Sequence, residues 1–361
     1  MDAQTVANRL PGWIAGQYPE ATAISLDNLR SPGGGYSNET WLFDLVWTRK
    51  GHPSRLPLVF RLQPTEAGTF PEYDLAFQYR CMERLAGSGI PVPRLFGFCA
   101  DSHLMGAPFY LMEQIPGRAP AENPPYALEG WLKDSFPEDQ RKIWEQGVDI
   151  LAAVARLDWR ALGFTELDRP ALGATPLAQM IAQYRSYLVW VERRRRPYPF
   201  LHQALDWVEA HPPADEPVTL CWGDAKLGNL MFEGSHCTAA LDWESAHLGN
   251  PVSDLGWMLM LDFALSEAIG IPRLPGFPDR AQTRARWEAQ SGFSARDLEY
   301  YEFFSAMKFA TIMASITWTF IRKGLLPEDT TMDIRNTGTA ALEIYSRRIG
   351  LDLGITPGVG P

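Results

Sequence analysis

Three polar residues between positions 221 and 254 have the types and spacing to do chemistry. Asn229 follows Asp224 by five positions, and Asp242 follows Asn229 by thirteen. A carboxylate and an amide are hard oxygen ligands. A site with one of each suits Mg²⁺, which keeps several waters and takes further ligands from substrate phosphates. Asn229 and Asp242 are therefore the candidate metal ligands. Asp224 would stand nearby without binding metal, free to accept a proton. Singly, Asp224, Asn229 and Asp242 are ordinary turn and cap formers; the chemistry rests on the set.

Such a set needs strands to hold it. Leu220 precedes the first piece, Leu230-Met231-Phe232 follows Asn229, and Ala239-Ala240-Leu241 leads into Asp242. A hairpin from these runs would bring Asn229 and Asp242 side by side at strand ends. Further upstream, strand patterns fall at 25–29, 40–48, 56–62, 93–98 and 109–114, with a helix over 72–85. Gly33, Gly34, Gly35, Ser37 and Asn38 lie in a turn cluster between two of these strands, where consecutive amides can form an anion-binding nest. After residue 115 the pattern turns helical, at 140–157, 177–195, 200–210 and from 254 to 348. The class expected is α+β. A small antiparallel β-rich lobe, 1–115, precedes a larger, mainly helical lobe, 116–361.

The 361 residues carry 33 basic and 43 acidic side chains, a net charge of −10. That balance excludes a broad phosphate-neutralising face, so no nucleic-acid partner is expected, and no anionic membrane surface. The most apolar long stretch, 301–321, contains Glu302 and Lys308 and reads as a buried helix. Four cysteines without metal or redox spacing suit a reducing compartment, and a cytoplasmic protein is expected. The run Arg193 to Arg196 reads as a solvated helix terminus. Only six of the 33 cations are lysines, and Lys50 is the only one before residue 116.

Cys221-Trp-Gly-Asp-Ala-Lys-Leu-Gly-Asn229, followed by Leu241-Asp-Trp-Glu244, resembles the aminoglycoside-phosphotransferase-like, choline-kinase-like branch of the protein-kinase fold. Gly89-Ile-Pro-Val-Pro93, Gly106 to Glu113, Leu157-Asp-Trp159 and Gly249-Asn-Pro251 with Asp254 are similar to family landmarks and stand in family order. Within the family, the wording is most similar to the kinase-like domain attached to some acyl-CoA dehydrogenases.

The resemblance implies a bilobal kinase-like fold. It also implies an ATP- and Mg²⁺-dependent transfer of the γ-phosphoryl group to a hydroxyl of a small molecule, such as an aminoglycoside-like compound, an amino alcohol or a hydroxyacyl compound. It makes Asp224 the catalytic base, Asn229 and Asp242 the metal ligands, and Lys226 a stabiliser of the transferred group. Glu244 would support the metal site. Gly33 to Asn38 would be the phosphate loop. Glu113, Gln114 and Ile115 would be the hinge that pairs with adenine. Arg61 stands where protein kinases place a phosphate-holding lysine, and Gln78 where its acidic partner is expected, with Asp74 one turn earlier. Trp222 replaces the family's loop histidine. These departures keep a second expectation open, a catalytically silent nucleotide-binding or scaffold protein of the same fold.

Overall fold

The computed structural model describes residues 1–31, 39–66 and 68–355. The expected phosphate loop, with Gly33, Gly34, Gly35, Ser37 and Asn38, lies outside them. The chain divides into two units. One comprises Met1–Ala86 with Val92–Pro116, the other Gly87–Pro91 with Gly117–Pro361.

In the first unit, side chains alternate faces along each strand. In β2 (Glu39–Arg49), Trp41, Phe43, Leu45 and Trp47 all point into the core. Lys50 and Gly51 take positive φ of 49° and 78°. This two-residue turn matches strand twist and sets Arg49 opposite His52. The chain returns as β3 (His52–Leu62), which adds Leu58, Phe60 and Leu62 to the same core. With β1 (Ala21–Arg30), β4 (Leu95–Cys99) and β5 (Phe109–Glu113), these form an antiparallel sheet of order β1-β2-β3-β5-β4.

Helix α1 (Ala3–Gln17) packs Val6, Leu10 and Ile14 into the core that holds Phe43 and Phe60. No element is expected in this segment from the sequence patterns, which begin at 25–29. Its apolar stripe is one residue per turn, and burial against β1 rather than composition makes it a helix. Helix α2 (Leu75–Leu85) starts three residues later than its periodicity suggests, because the Asp74 carboxylate accepts from Phe77 N at 2.8 Å and caps it. Helix α3 (Ser102–Met105) is a single turn before β5.

The second unit is mainly helical, with α4 (Pro137–Ala155), α5 (Pro176–Glu192), α6 (Pro199–Ala210), α7 (Val252–Ala264), α8 (Arg280–Ser291), α9 (Leu298–Arg322) and α10 (Thr337–Arg348). Two small ribbons interrupt it. β6 (Thr219–Cys221) pairs with β9 (His247–Gly249), and β7 (Leu230–Glu233) pairs with β8 (His236–Ala240). By length and composition α9 could cross a membrane, yet 61% of its most apolar window is buried in this unit. It packs on α6, α7 and α10. Its buried Glu302 accepts from the Arg280 guanidinium at 2.8 Å.

The arginine run differs from expectation. Arg195 donates to the Glu328 and Thr330 carbonyls, each at 2.6 Å, and Arg196 lies 2.7 Å from the fully buried Asp333. The run does end a helix, with Arg193 the C-cap of α5, but Arg195 and Arg196 clamp the segment before α10 rather than standing in solvent, since a carboxylate buried this deeply needs cationic partners.

Candidate active site

The site is built where β6 ends. Its strand delivers Trp222, Gly223 and Asp224 onto the N-terminal turn of α7. There the buried Asp254 accepts Trp222 N–H at 2.6 Å and Gly223 N–H at 2.8 Å. Burial pushes the Asp254 carboxyl up to about 6, against the two N–H donors that favour its charged form. Gly223 has a φ of 86°, and a Cβ there would lie 2.0 Å from the Ser245 carbonyl oxygen. Only glycine fits this position.

Trp222, in the place of the family's histidine, is fully buried. Its indole N–H donates to the Leu241 carbonyl at 3.0 Å, and its ring stacks on Trp243 with centroids 5.3 Å apart. It therefore ties the Asp224 loop to the residues on both sides of Asp242.

Asp224 is held from three directions. Trp257 Nε1 donates to Oδ1 at 2.9 Å, Asn229 Nδ2 donates to Oδ2 at 2.8 Å, and Lys226 Nζ lies 3.3 Å from Oδ2. Oδ2 faces two donors, but Oδ1 faces only the indole N–H and keeps a second lone pair for a proton. Lys226 also donates to Glu122 at 2.9 Å. Burial opposes the charge on Lys226, but Asp224 and Glu122 outweigh it and raise the ammonium above its ordinary value.

The β7–β8 ribbon sets the two candidate ligands. Asn229 and Asp242 flank it, and Leu241 N–H donates to the Asn229 carbonyl at 2.8 Å. With its Nδ2 turned to Asp224, the Asn229 amide leaves its Oδ1 without a hydrogen-bond donor among the described residues. Asp242 adopts a left-handed φ of 60° at the strand end. One amide oxygen beside one carboxylate fits a Mg²⁺ ion whose other ligands are water and phosphate. Glu244 sits in the single turn Trp243–Ser245 that follows.

Asp224, Lys226, Asn229 and Asp242 are thus brought together within the second unit. The candidates in the first unit are placed separately. Arg61 sits on β3 opposite Thr40 and Tyr110. Asp74 serves as the α2 cap and lies 3.8 Å from Arg80. Glu113 N–H donates to the Arg94 carbonyl and Gln114 N–H to the Pro57 carbonyl. Ile115 N–H makes no main-chain bond among the described residues.

Two site residues escape the sequence reading. Trp257 reads as a packing residue in an apolar helix, and Glu122 lies in a proline-rich segment with no pattern. The signal for Glu122 is indirect: Gly228 leaves room for it, since a Cβ there would lie 2.8 Å from Glu122 Oε1.

Comparison with known proteins bears on the fold and the family. The chain is 28% identical over 229 residues to acyl-CoA dehydrogenase family member 10 of Mus musculus, a match covering 63% of this chain and 20% of that protein. The chain spans only about a fifth of that relative. A crystal structure of a candidate aminoglycoside phosphotransferase from Ralstonia eutropha superposes with a TM-score of 0.68 at 23% identity, covering 94% of this chain and 98% of that one. A thermostable mutant of aminoglycoside phosphotransferase APH(4)-Ia, in ternary complex with ADP and hygromycin B, superposes with a TM-score of 0.52 at 15% identity. That match covers 89% of this chain and 99% of that one. These likenesses show the kinase-like α+β fold. The family model of the phosphotransferase enzyme family matches residues 28–289, and the chain belongs to that family.

Proposed function

We propose that this chain is a small-molecule kinase of the cytoplasm, using ATP and Mg²⁺ to phosphorylate an acceptor hydroxyl. The observation that carries the reading is Asp224, oriented by Trp257 and Asn229 with acceptor capacity left over. Binding of ADP by the related APH(4)-Ia structure supports a nucleotide as the donor.

Asn229 Oδ1 and the Asp242 carboxylate would hold the metal, whose charge offsets that of the nucleotide phosphates. Asp224 receives the acceptor O–H proton. The new bond forms between the acceptor oxygen and the γ-phosphorus as the bond from that phosphorus to the leaving diphosphate oxygen breaks. An ammonium has three donors. Lys226 directs two at Glu122 and Asp224, and the third remains for an oxygen of the transferring group.

The test is ATP consumption across a panel of small alcohols, with Asp224→Asn as the blank. Transfer that the substitution leaves undiminished would remove the role given to Asp224. Thermal unfolding with ATP, with and without Mg²⁺, checks the nucleotide separately. A ligand at 100 times its dissociation constant adds about 2.7 kcal/mol of stability.

A further inference from the structure

We infer that a small cavity lined by Lys308 is a binding subsite for a carboxylate group, and that it takes the anionic end of the acceptor alcohol. The inference rests on the phosphotransferase reading for the word acceptor, but not for the binding itself.

Lys308 lies on α9 and is only 4% exposed. Its ammonium faces three rings, with centroids of Trp257 at 5.0 Å, Phe304 at 5.4 Å and Tyr184 at 5.8 Å. Among the described residues it makes no hydrogen bond and has no carboxylate within ion-pair distance. A buried ammonium without an anion is costly, and such groups normally pair. Desolvation accordingly pushes Lys308 down to about 8, although Asp254, Cys221 and Asp224 pull the other way. It remains largely charged at neutral pH.

The cavity that Lys308 lines holds about 20 Å³, room for one small polar group. The other ionisable walls do not supply its missing anion. Glu216 also lines the cavity, but its carboxylate accepts from Tyr301 Oη at 2.5 Å, and burial raises it toward the neutral acid. Desolvation and the nearby Lys308 push His247 down to about 4, so its imidazole is neutral.

The position relative to the base gives the cavity its meaning. Trp257 links the two, since its face lies against Lys308 while its N–H donates to Asp224. Trp257 does not itself line the cavity, so the acceptor would have its hydroxyl at Asp224 and its carboxylate at Lys308 on the other side of that indole. The same arrangement disfavours a cationic acceptor. The three rings that could receive an ammonium already face one, and like charges in a desolvated site repel.

Calorimetric titration of the full chain with butyrate, butyramide and butylamine tests this without ATP. Butyrate is expected to bind, butyramide at least about tenfold more weakly and butylamine not measurably. Lys308→Met and Lys308→Gln should each lose the preference for butyrate. Equal binding of butyrate and butyramide, no butyrate binding at millimolar concentration, or unchanged preference in a folded variant would overturn the proposal. The three-ligand comparison on the unaltered chain decides even if both variants misfold. Asp224→Asn, which tests phosphotransfer, should keep butyrate binding, so the two readings fail separately.

Discussion

Trp257 Nε1 donates to Asp224 Oδ1 at 2.9 Å across 33 positions of sequence. An indole N–H is a donor only and its ring is rigidly packed, so it can fix a carboxylate without competing for its proton. Trp257→Phe keeps an aromatic ring, though a smaller one, and removes that donor. Hydrogen bonds to charged groups contribute about 1.5–3 kcal/mol. The expected result is a kcat lower by about 10- to 100-fold, with KM for ATP little changed. Steady-state kinetics on any accepted alcohol would check it, and an unaffected kcat would show that Asn229 and Lys226 suffice to orient the base.

Asp254 holds the loop that carries Asp224 through two backbone N–H groups. Asp254→Asn keeps the shape but turns one acceptor into a donor facing an N–H. Leaving a buried donor unsatisfied costs about 1–3 kcal/mol. Thermal unfolding should report a loss of that size, with faster amide exchange at Trp222 and Gly223.

Gly223→Ala puts a methyl group 2.0 Å from the Ser245 carbonyl oxygen at a φ of 86°. Backbone there must shift, and the strain and displacement together should cost about 2 kcal/mol or more. Denaturant unfolding measures this directly. A variant as stable as the parent would show that the turn between β6 and β7 has slack.

Lys308 gives a pH signature. Burial lowers it from 10.5 to about 8, so the unfolded chain binds this proton more tightly than the folded one. Stability then rises with pH between about 8 and 10.5, and the penalty of the buried charge is fully present below 8. Lys308→Met should therefore be more stable than the parent at pH 7, by on the order of 2–3 kcal/mol, with the gain shrinking by pH 10. Unfolding curves at both values would show it, and a gain independent of pH would assign the effect to packing.

The strand and helix periodicities set the two kinds of lobe, and the spacing of Asp224, Asn229 and Asp242, with the landmarks from Gly89 to Asp254, carried the family resemblance. Those features are local, since each depends on residue types within about twenty positions. The capped start of α2 is nearly legible too, because Asp74 acts on its own neighbour. Helix α1 was not, because its single apolar stripe gains stability only against β1.

Tertiary structure alone decided the partners of the base. Trp257 and Glu122 come from segments far from the motif, and their local sequence is the same whether they pack or orient a charge. Lys308 makes the point most sharply. Sequence marks it as a charge within an apolar helix and so argues for burial. Only the fold shows that aromatic rings surround the ammonium and that no carboxylate among the described residues lies within ion-pair distance, because burial and pairing are properties of everything packed around a residue.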